Sequence, residues 1–218
     1  MTPVYIHNAA LPPVNEKEVL RYAACRQADD ATLALLRGCA GEALPLLQTR
    51  VCYVTAEVDV LPDGVSMEHI FLPSRDLARN LRGCTRAVIF AASLGTQLDR
   101  LIAKYGALSP ARALMMQALG AERIEAVCDS FCSWYGKEAG TALRPRFSPG
   151  YGDLQLSAQR ELFDLLDCRR HIGLHLTDSL VMTPSKSVTA IAGLGEKCQS
   201  TQKCTLCNKT DCIFRRSI

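Results

Sequence analysis

Apolar and polar residues alternate from Val54 to Val60, with Thr55, Glu57 and Asp59 between Val54, Ala56, Val58 and Val60. A period of two is that of a strand with one face buried. Leu61-Pro62-Asp63-Gly64 then reads as a turn, because proline presets one backbone angle and Asp-Gly tolerates the tight reversal. The weaker strand pattern Val65–Leu72 follows, so a hairpin is predicted. Upstream, Asn15 with Glu18 has the form of a capping box opening a helix through Val19, Leu20, Tyr22 and Ala23. A second helix, Asp30 to Leu47, carries Leu33, Leu36, Cys39, Ala43 and Leu47 along one side.

Downstream, Ser74 with Asp76 starts a short helix ending near Gly83. The unbroken apolar run Ala87–Ala91 is short enough for a buried strand. Ser93-Leu94-Gly95-Thr96 leads into a helix over Gln97–Tyr105, and its single glycine reads as turn chemistry rather than an anion cradle. Ser109-Pro110 is a strong helix start. It opens the longest helix, with Leu114, Met115, Ala118, Ala121, Ile124, Cys128, Phe131 and Tyr135 at spacings of three and four. Glu122 and Glu125 sit at the edge of that stripe, where a carboxylate is ordinarily solvated. Ser157 is a candidate cap for a helix over Ala158–Leu166, which buries Leu162, Phe163, Leu165 and Leu166. Leu174–Thr177 and Ser187–Leu194 read as strands separated by Met182-Thr183-Pro184-Ser185. Helices and strands do not alternate regularly, so the expected class is α+β with an antiparallel sheet and several long helices.

Composition narrows the function. The chain has 218 residues, 48% of them hydrophobic, and a net charge of +3. That is one ordinary domain with a real core, or one domain with an appendage. The balance is too even, and Lys and Arg too scattered, for a nucleic-acid partner, apart from short clusters at Arg169–His171 and Arg215–Arg216. No apolar run reaches membrane-spanning length and the N-terminus lacks a signal-peptide pattern, so a cytoplasmic protein is expected. His7, His69, His171 and His175 show no metal-type spacing, and there is no GxGxxG, P-loop lysine or Ser/His/Asp set.

Two stretches carry candidate chemistry. The first is Arg146-Phe-Ser-Pro-Gly-Tyr-Gly-Asp153, which has no apolar period and presents backbone. Glycine allows a ligand close approach, Arg146 offers a planar fork to a carboxylate, and Tyr151 an aromatic face. The bland alternative is a surface turn before a helix. The second stretch is the C-terminal cysteine cluster. Of 11 cysteines, Cys25, Cys39, Cys52, Cys84, Cys128, Cys132 and Cys168 are dispersed among apolar neighbours and read as small buried hydrophobes. The other four are spaced Cys198-x5-Cys204-x2-Cys207-x4-Cys212 in a polar segment. Such short separations suit tetrahedral zinc or an iron–sulfur cluster, and the spacing does not decide between them. A tail of reactive thiols is the plain alternative.

Three ordered motifs give a resemblance. These are Arg146-x-x-Pro149-Gly150-Tyr151, the helix with Leu162-Phe163-x-x-Leu166, and Gly173-x-x-Leu176-Thr177-x-Ser179-x-x-Met182-x-Pro184-x-x-Ser187-Val188. In this order and near this spacing they resemble the activation (reactivation) domain of vitamin B12-dependent methionine synthase. The match is firm over about residues 140–194 and extends through the long helix. The resemblance implies a C-shaped α+β domain that binds S-adenosylmethionine in a shallow groove and docks on a cobalamin-binding module. There an electron donor protein re-reduces cob(II)alamin, and the methyl group of S-adenosylmethionine traps the reduced cobalt as methylcobalamin. The cofactor does most of the chemistry, and the protein binds and orients it.

By position, the resemblance implies that Arg146 engages the S-adenosylmethionine carboxylate, Ser148 and Gly150 offer backbone contacts, and Tyr151 lines the groove. A cationic sulfonium also calls for a carboxylate or aromatic face. Glu125 on the long helix is the candidate, with Glu122 the second choice. Thr177, Ser179 and Met182 are expected to shape the groove wall. Asp178 stands where the family carries Glu, and the family's N-terminal Asp-Trp-Thr-Pro segment is absent from this sequence. The chain also carries none of the homocysteine, folate or cobalamin modules. The expectation is therefore an activation-like domain over 1–195 and a Cys-rich metal-binding tail over 196–218. It would be a stand-alone component of the cobalamin-dependent methionine synthase (methyltransferase) system. It would act on a separate cobalamin-binding methionine synthase or other corrinoid protein. The alternative is a metal-bearing interaction or sensor protein that works through Cys198, Cys204, Cys207 and Cys212, its groove no longer binding S-adenosylmethionine. An ordinary S-adenosylmethionine methyltransferase is disfavoured, because no glycine-rich nucleotide motif follows an early strand.

Overall fold

The computed structural model describes residues 2–195. The proposed metal ligands Cys198, Cys204, Cys207 and Cys212, and with them the tail, lie outside the described residues. Asn15 opens α1 (Glu16–Tyr22), its side-chain oxygen accepting from the Glu18 amide at 3.2 Å. Asp29 caps α2 (Asp30–Ala43) through the Thr32 amide at 2.8 Å. The helix stops at Ala43, short of the predicted Leu47, and a 3-10 turn containing Pro45 takes over.

The sheet is antiparallel throughout. Its order is β4 (Ile70–Leu72), β3 (Gly64–Met67), β2 (Arg50–Leu61), β5 (Arg86–Ser93) and β8 (Ser187–Leu194). β1 (Tyr5–His7), too short to show in the sequence pattern, pairs with β2 at Val51–Tyr53. The predicted hairpin forms, with Leu61 opposite Gly64. The second strand is split, however, because Glu68 takes a positive φ of 50° and turns the chain again before Ile70.

The sheet is covered on both faces, which explains why β5 reads as an unbroken apolar run. Val88, Phe90 and Ala92 face one core, with α2 and with α4 (Gln97–Leu108) and α5 (Pro110–Glu138). Ala87, Ile89 and Ala91 face the other, with α3 (Arg75–Asn80), α6 (Gln159–Leu166) and α7 (Cys168–Ile172). The architecture is α+β, as expected. Leu114 is an exception to the predicted stripe: the buried face of α5 begins at Met115 and Met116, leaving Leu114 exposed. Ser157 caps nothing; it lies in a 3-10 turn, Leu156–Ala158, that runs into α6. Met182–Thr183, expected only as a spacer, forms β7 and pairs with β6 (His175–Leu176). Among the described residues no helix is long and apolar enough to cross a membrane.

Candidate functional site: a charged turn against the long helix

The outer edge of β8 positions the site. Phe147 and Ile191 exchange both backbone hydrogen bonds at 2.8 Å, and the Arg144 amide donates to the Gly193 carbonyl at 2.8 Å. These contacts lay residues 144–147 along the sheet and bring Arg146 against α5. The chain then turns on itself. The Tyr151 amide donates to Ser148 O at 3.0 Å, the Leu154 amide to Tyr151 O at 3.0 Å, and the Gly150 amide to Leu154 O at 2.8 Å. Gly150 and Gly152 hold φ values of +88° and +53°, which L side chains rarely adopt.

Asp153 fastens the far end of the turn. Its carboxylate accepts from the Arg75 amide at 2.9 Å, the Asp76 amide at 3.1 Å and the Ser74 hydroxyl, so it caps α3 from a distance. The Ser74 hydroxyl first, then these amides, hold the Asp153 carboxyl below its ordinary range. Gly152 passes so close to Asp76 that a Cβ there would lie 3.0 Å from the Asp76 Cβ and Cγ.

Arg146 is the electrostatic centre. It is 9% exposed, and its Nη2 lies 2.6 Å from Glu125 Oε2 and 2.9 Å from Asp129 Oδ1. Its Nη1 is buried without a hydrogen-bond partner. Burial opposes the charge, but the surrounding Cys128, Glu125 and Asp129 more than offset it, and the pKa is raised. The Cys128 thiol is itself pushed up to about 12 by burial. It is therefore neutral at physiological pH, and the two carboxylates supply the working attraction.

Tyr151 is half exposed and packs edge-on against Phe147, centroids 6.1 Å apart at 67°. Burial and then the Glu125 charge raise its phenol pKa, and Tyr22 from α1 lies within electrostatic reach. Thus the structure brings Arg146, Glu125 and Tyr151 together. Ser148 and Gly150 lie in the same turn, where the Ser148 carbonyl and the Gly150 amide already serve to close it. Thr177 and Ser179 share a 3.0 Å hydroxyl contact in the turn that joins β6 to β7. Met182 and Phe147 are each partly buried against the core to which Leu162 and Leu166 of α6 belong.

Glu122 differs from the pattern reading, and Asp129 adds to it. Glu122 is not solvated: it is 6% exposed, beside Arg123 at 1%. Arg123 Nε donates to Glu122 Oε2 at 2.5 Å and Arg123 Nη1 to the Pro12 carbonyl at 2.6 Å, while the Asn15 amide reaches Glu122 Oε1 at 3.2 Å. That pair ties the N-terminal strap, residues 8–15 between β1 and α1, to α5. Asp129 had no sequence signal of its own, although it sits four residues after Glu125 and so on the same helix face. It also borders a cavity of about 680 Å³ between the strap and α5, lined in part by Pro12, Pro13, Glu122, Ser130 and Trp134.

Residues 137–204 match the family described as vitamin B12 dependent methionine synthase, activation domain. Among solved structures, the crystal structure of the MetH reactivation domain bound to AdoHcy is similar at a TM-score of 0.65 and 15% sequence identity. That similarity covers 92% of this chain and 81% of the other. No curated protein sequence matches the chain. The fold is that of a methionine synthase reactivation domain, and the stretch bearing the second and third motifs and the Arg146 turn matches the activation-domain family.

Proposed function

We propose that this protein binds S-adenosylmethionine at the Arg146–Tyr151 turn and supports reductive methylation of cob(II)alamin. The cobalamin is held by a corrinoid partner, either a cobalamin-binding methionine synthase or another corrinoid protein. The observation that carries this reading is the Arg146 guanidinium, buried and charged, with Nη2 held by two carboxylates and Nη1 left unpartnered. A buried donor without an acceptor is costly, and a ligand carboxylate would satisfy it with a charge-assisted bond. The AdoHcy named for the similar reactivation domain has such a carboxylate.

The residues divide the work. Arg146 holds the ligand's carboxylate, and Glu125 places a negative charge where the sulfonium has to lie. Tyr151 offers its exposed ring as a wall, and Gly150, at a positive φ and without a side chain, lets the ligand lie against backbone. Bound S-adenosylmethionine supplies an electrophilic methyl group to the reduced cobalt, and S-adenosylhomocysteine leaves. The protein's part is to orient that methyl group toward the partner, while an electron donor protein supplies the reducing equivalent. The test is an optical assay of cob(II)alamin conversion on a purified corrinoid partner. Methylcobalamin should form only when this protein, S-adenosylmethionine and a reductant are all present. Equal conversion without this protein would refute the role.

A further inference from the structure

We propose that Asp129 is a ligand-binding residue whose carboxylate takes the α-ammonium of S-adenosylmethionine; this rests on the function proposed above.

The ligand carries one carboxylate, one ammonium and one sulfonium, so a complementary site needs one cation and two anions. Arg146, Glu125 and Asp129 make that set, joined through a single guanidinium nitrogen at 2.6 Å and 2.9 Å. Arg146 leaves Nη1 for the ligand's carboxylate. In an α-amino acid the ammonium sits on the carbon next to that carboxylate, which brings it beside the anions flanking Arg146. Glu125 and Asp129 lie on one face of α5, one turn apart, a rise of about 6 Å. The ammonium and sulfonium are joined through Cα, Cβ and Cγ, a span of the same order. Each carboxylate thus meets one cationic centre.

Exposure decides which meets which. The Asp129 side chain is 63% exposed and that of Glu125 29%. Asp129 also borders the cavity beneath the N-terminal strap, so its pairing with Arg146 does not seal it off. The more accessible carboxylate suits the strongly hydrated ammonium, and the more sheltered one suits the sulfonium, which carries no N–H donors.

The test is calorimetric titration with two ligands: S-adenosylmethionine and its 2-oxo analogue, in which a keto oxygen replaces the ammonium. Wild-type protein should prefer S-adenosylmethionine. Asp129→Asn should weaken S-adenosylmethionine about fivefold, the upper range for an exposed charge pair, and leave the analogue's affinity unchanged. Asp129→Glu, which keeps the charge, should retain the preference. Equal weakening of both ligands would show that Asp129 only positions Arg146, and no change with either would show that it has no part; both overturn the proposal. Absence of S-adenosylmethionine binding by the wild-type protein would instead overturn the function on which the proposal rests.

Discussion

Arg146 Nη2 lies 2.6 Å from Glu125 Oε2, joining the strand-like segment on the edge of β8 to the middle of α5. The two residues are 21 positions apart in the chain and meet because residues 144–147 are pinned along β8 through Gly193 and Ile191. The pair is partly sheltered, so it preorganises both groups without neutralising the Arg146 Nη1 edge. If Glu125 faces the sulfonium, Glu125→Gln should weaken S-adenosylmethionine about fivefold. It should hardly change the affinity for uncharged-sulfur S-adenosylhomocysteine. Competitive titration of the two ligands checks this, and an equal loss for both would assign Glu125 to holding Arg146 alone.

The turn depends on Gly152. A side chain there must adopt φ near +53° and push against Asp76. Gly152→Ala should cost about 1–3 kcal/mol of stability. It should also loosen Asp153 from the first turn of α3. Chemical denaturation measures the first effect. Weaker S-adenosylmethionine binding by the folded variant measures the second.

Alkaline pH should destabilise the fold through its buried thiols. Cys128 ionises at about 12 in the folded protein against an ordinary 9.0. Cys168 is raised as well, by its hydrogen bond with Cys52 and then by burial. The folded state therefore keeps protons that the unfolded chain releases. Stability is complete below about pH 9 and falls as pH rises, by about 1.4 kcal/mol per unit for each such thiol. Thermal unfolding followed from pH 8 to 11 should show the decline, and Cys128→Ala should reduce its slope by about one proton.

The buried Glu122–Arg123 pair is the strap's anchor. Removing one charge leaves the other unpaired in the core, so Glu122→Gln should destabilise the protein by about 3–5 kcal/mol. Replacing both by apolar residues, as in Glu122→Leu with Arg123→Met, should cost less. Denaturant midpoints for the single and double variants decide between an anchoring pair and a dispensable one.

The fold was legible where period and caps agree. The alternation of Val54–Val60, the Asn15 cap and the Ser109-Pro110 start all appear where expected. The pattern missed what tertiary contacts decide. β1 is three residues long and exists because β2 offers it an edge. Glu122 is drawn inward because Arg123 and the strap carbonyls satisfy it, which no periodicity foretells. In the site, Arg146 and Tyr151 came from the motif and Glu125 from the charge a sulfonium calls for, and the three meet in space. Asp129 was hidden because an acidic residue on a helix edge is ordinarily solvated, and its partner lies in a different segment of the chain.

Calorimetric titration with S-adenosylmethionine, in wild-type protein and in Arg146→Ala and Arg146→Lys, tests the central claim most directly. Wild-type protein should bind saturably and Arg146→Ala should not. Arg146→Lys, which keeps the charge and loses the planar fork, should recover binding only in part. No binding by the folded wild-type protein, or undiminished binding by Arg146→Ala, would contradict that claim.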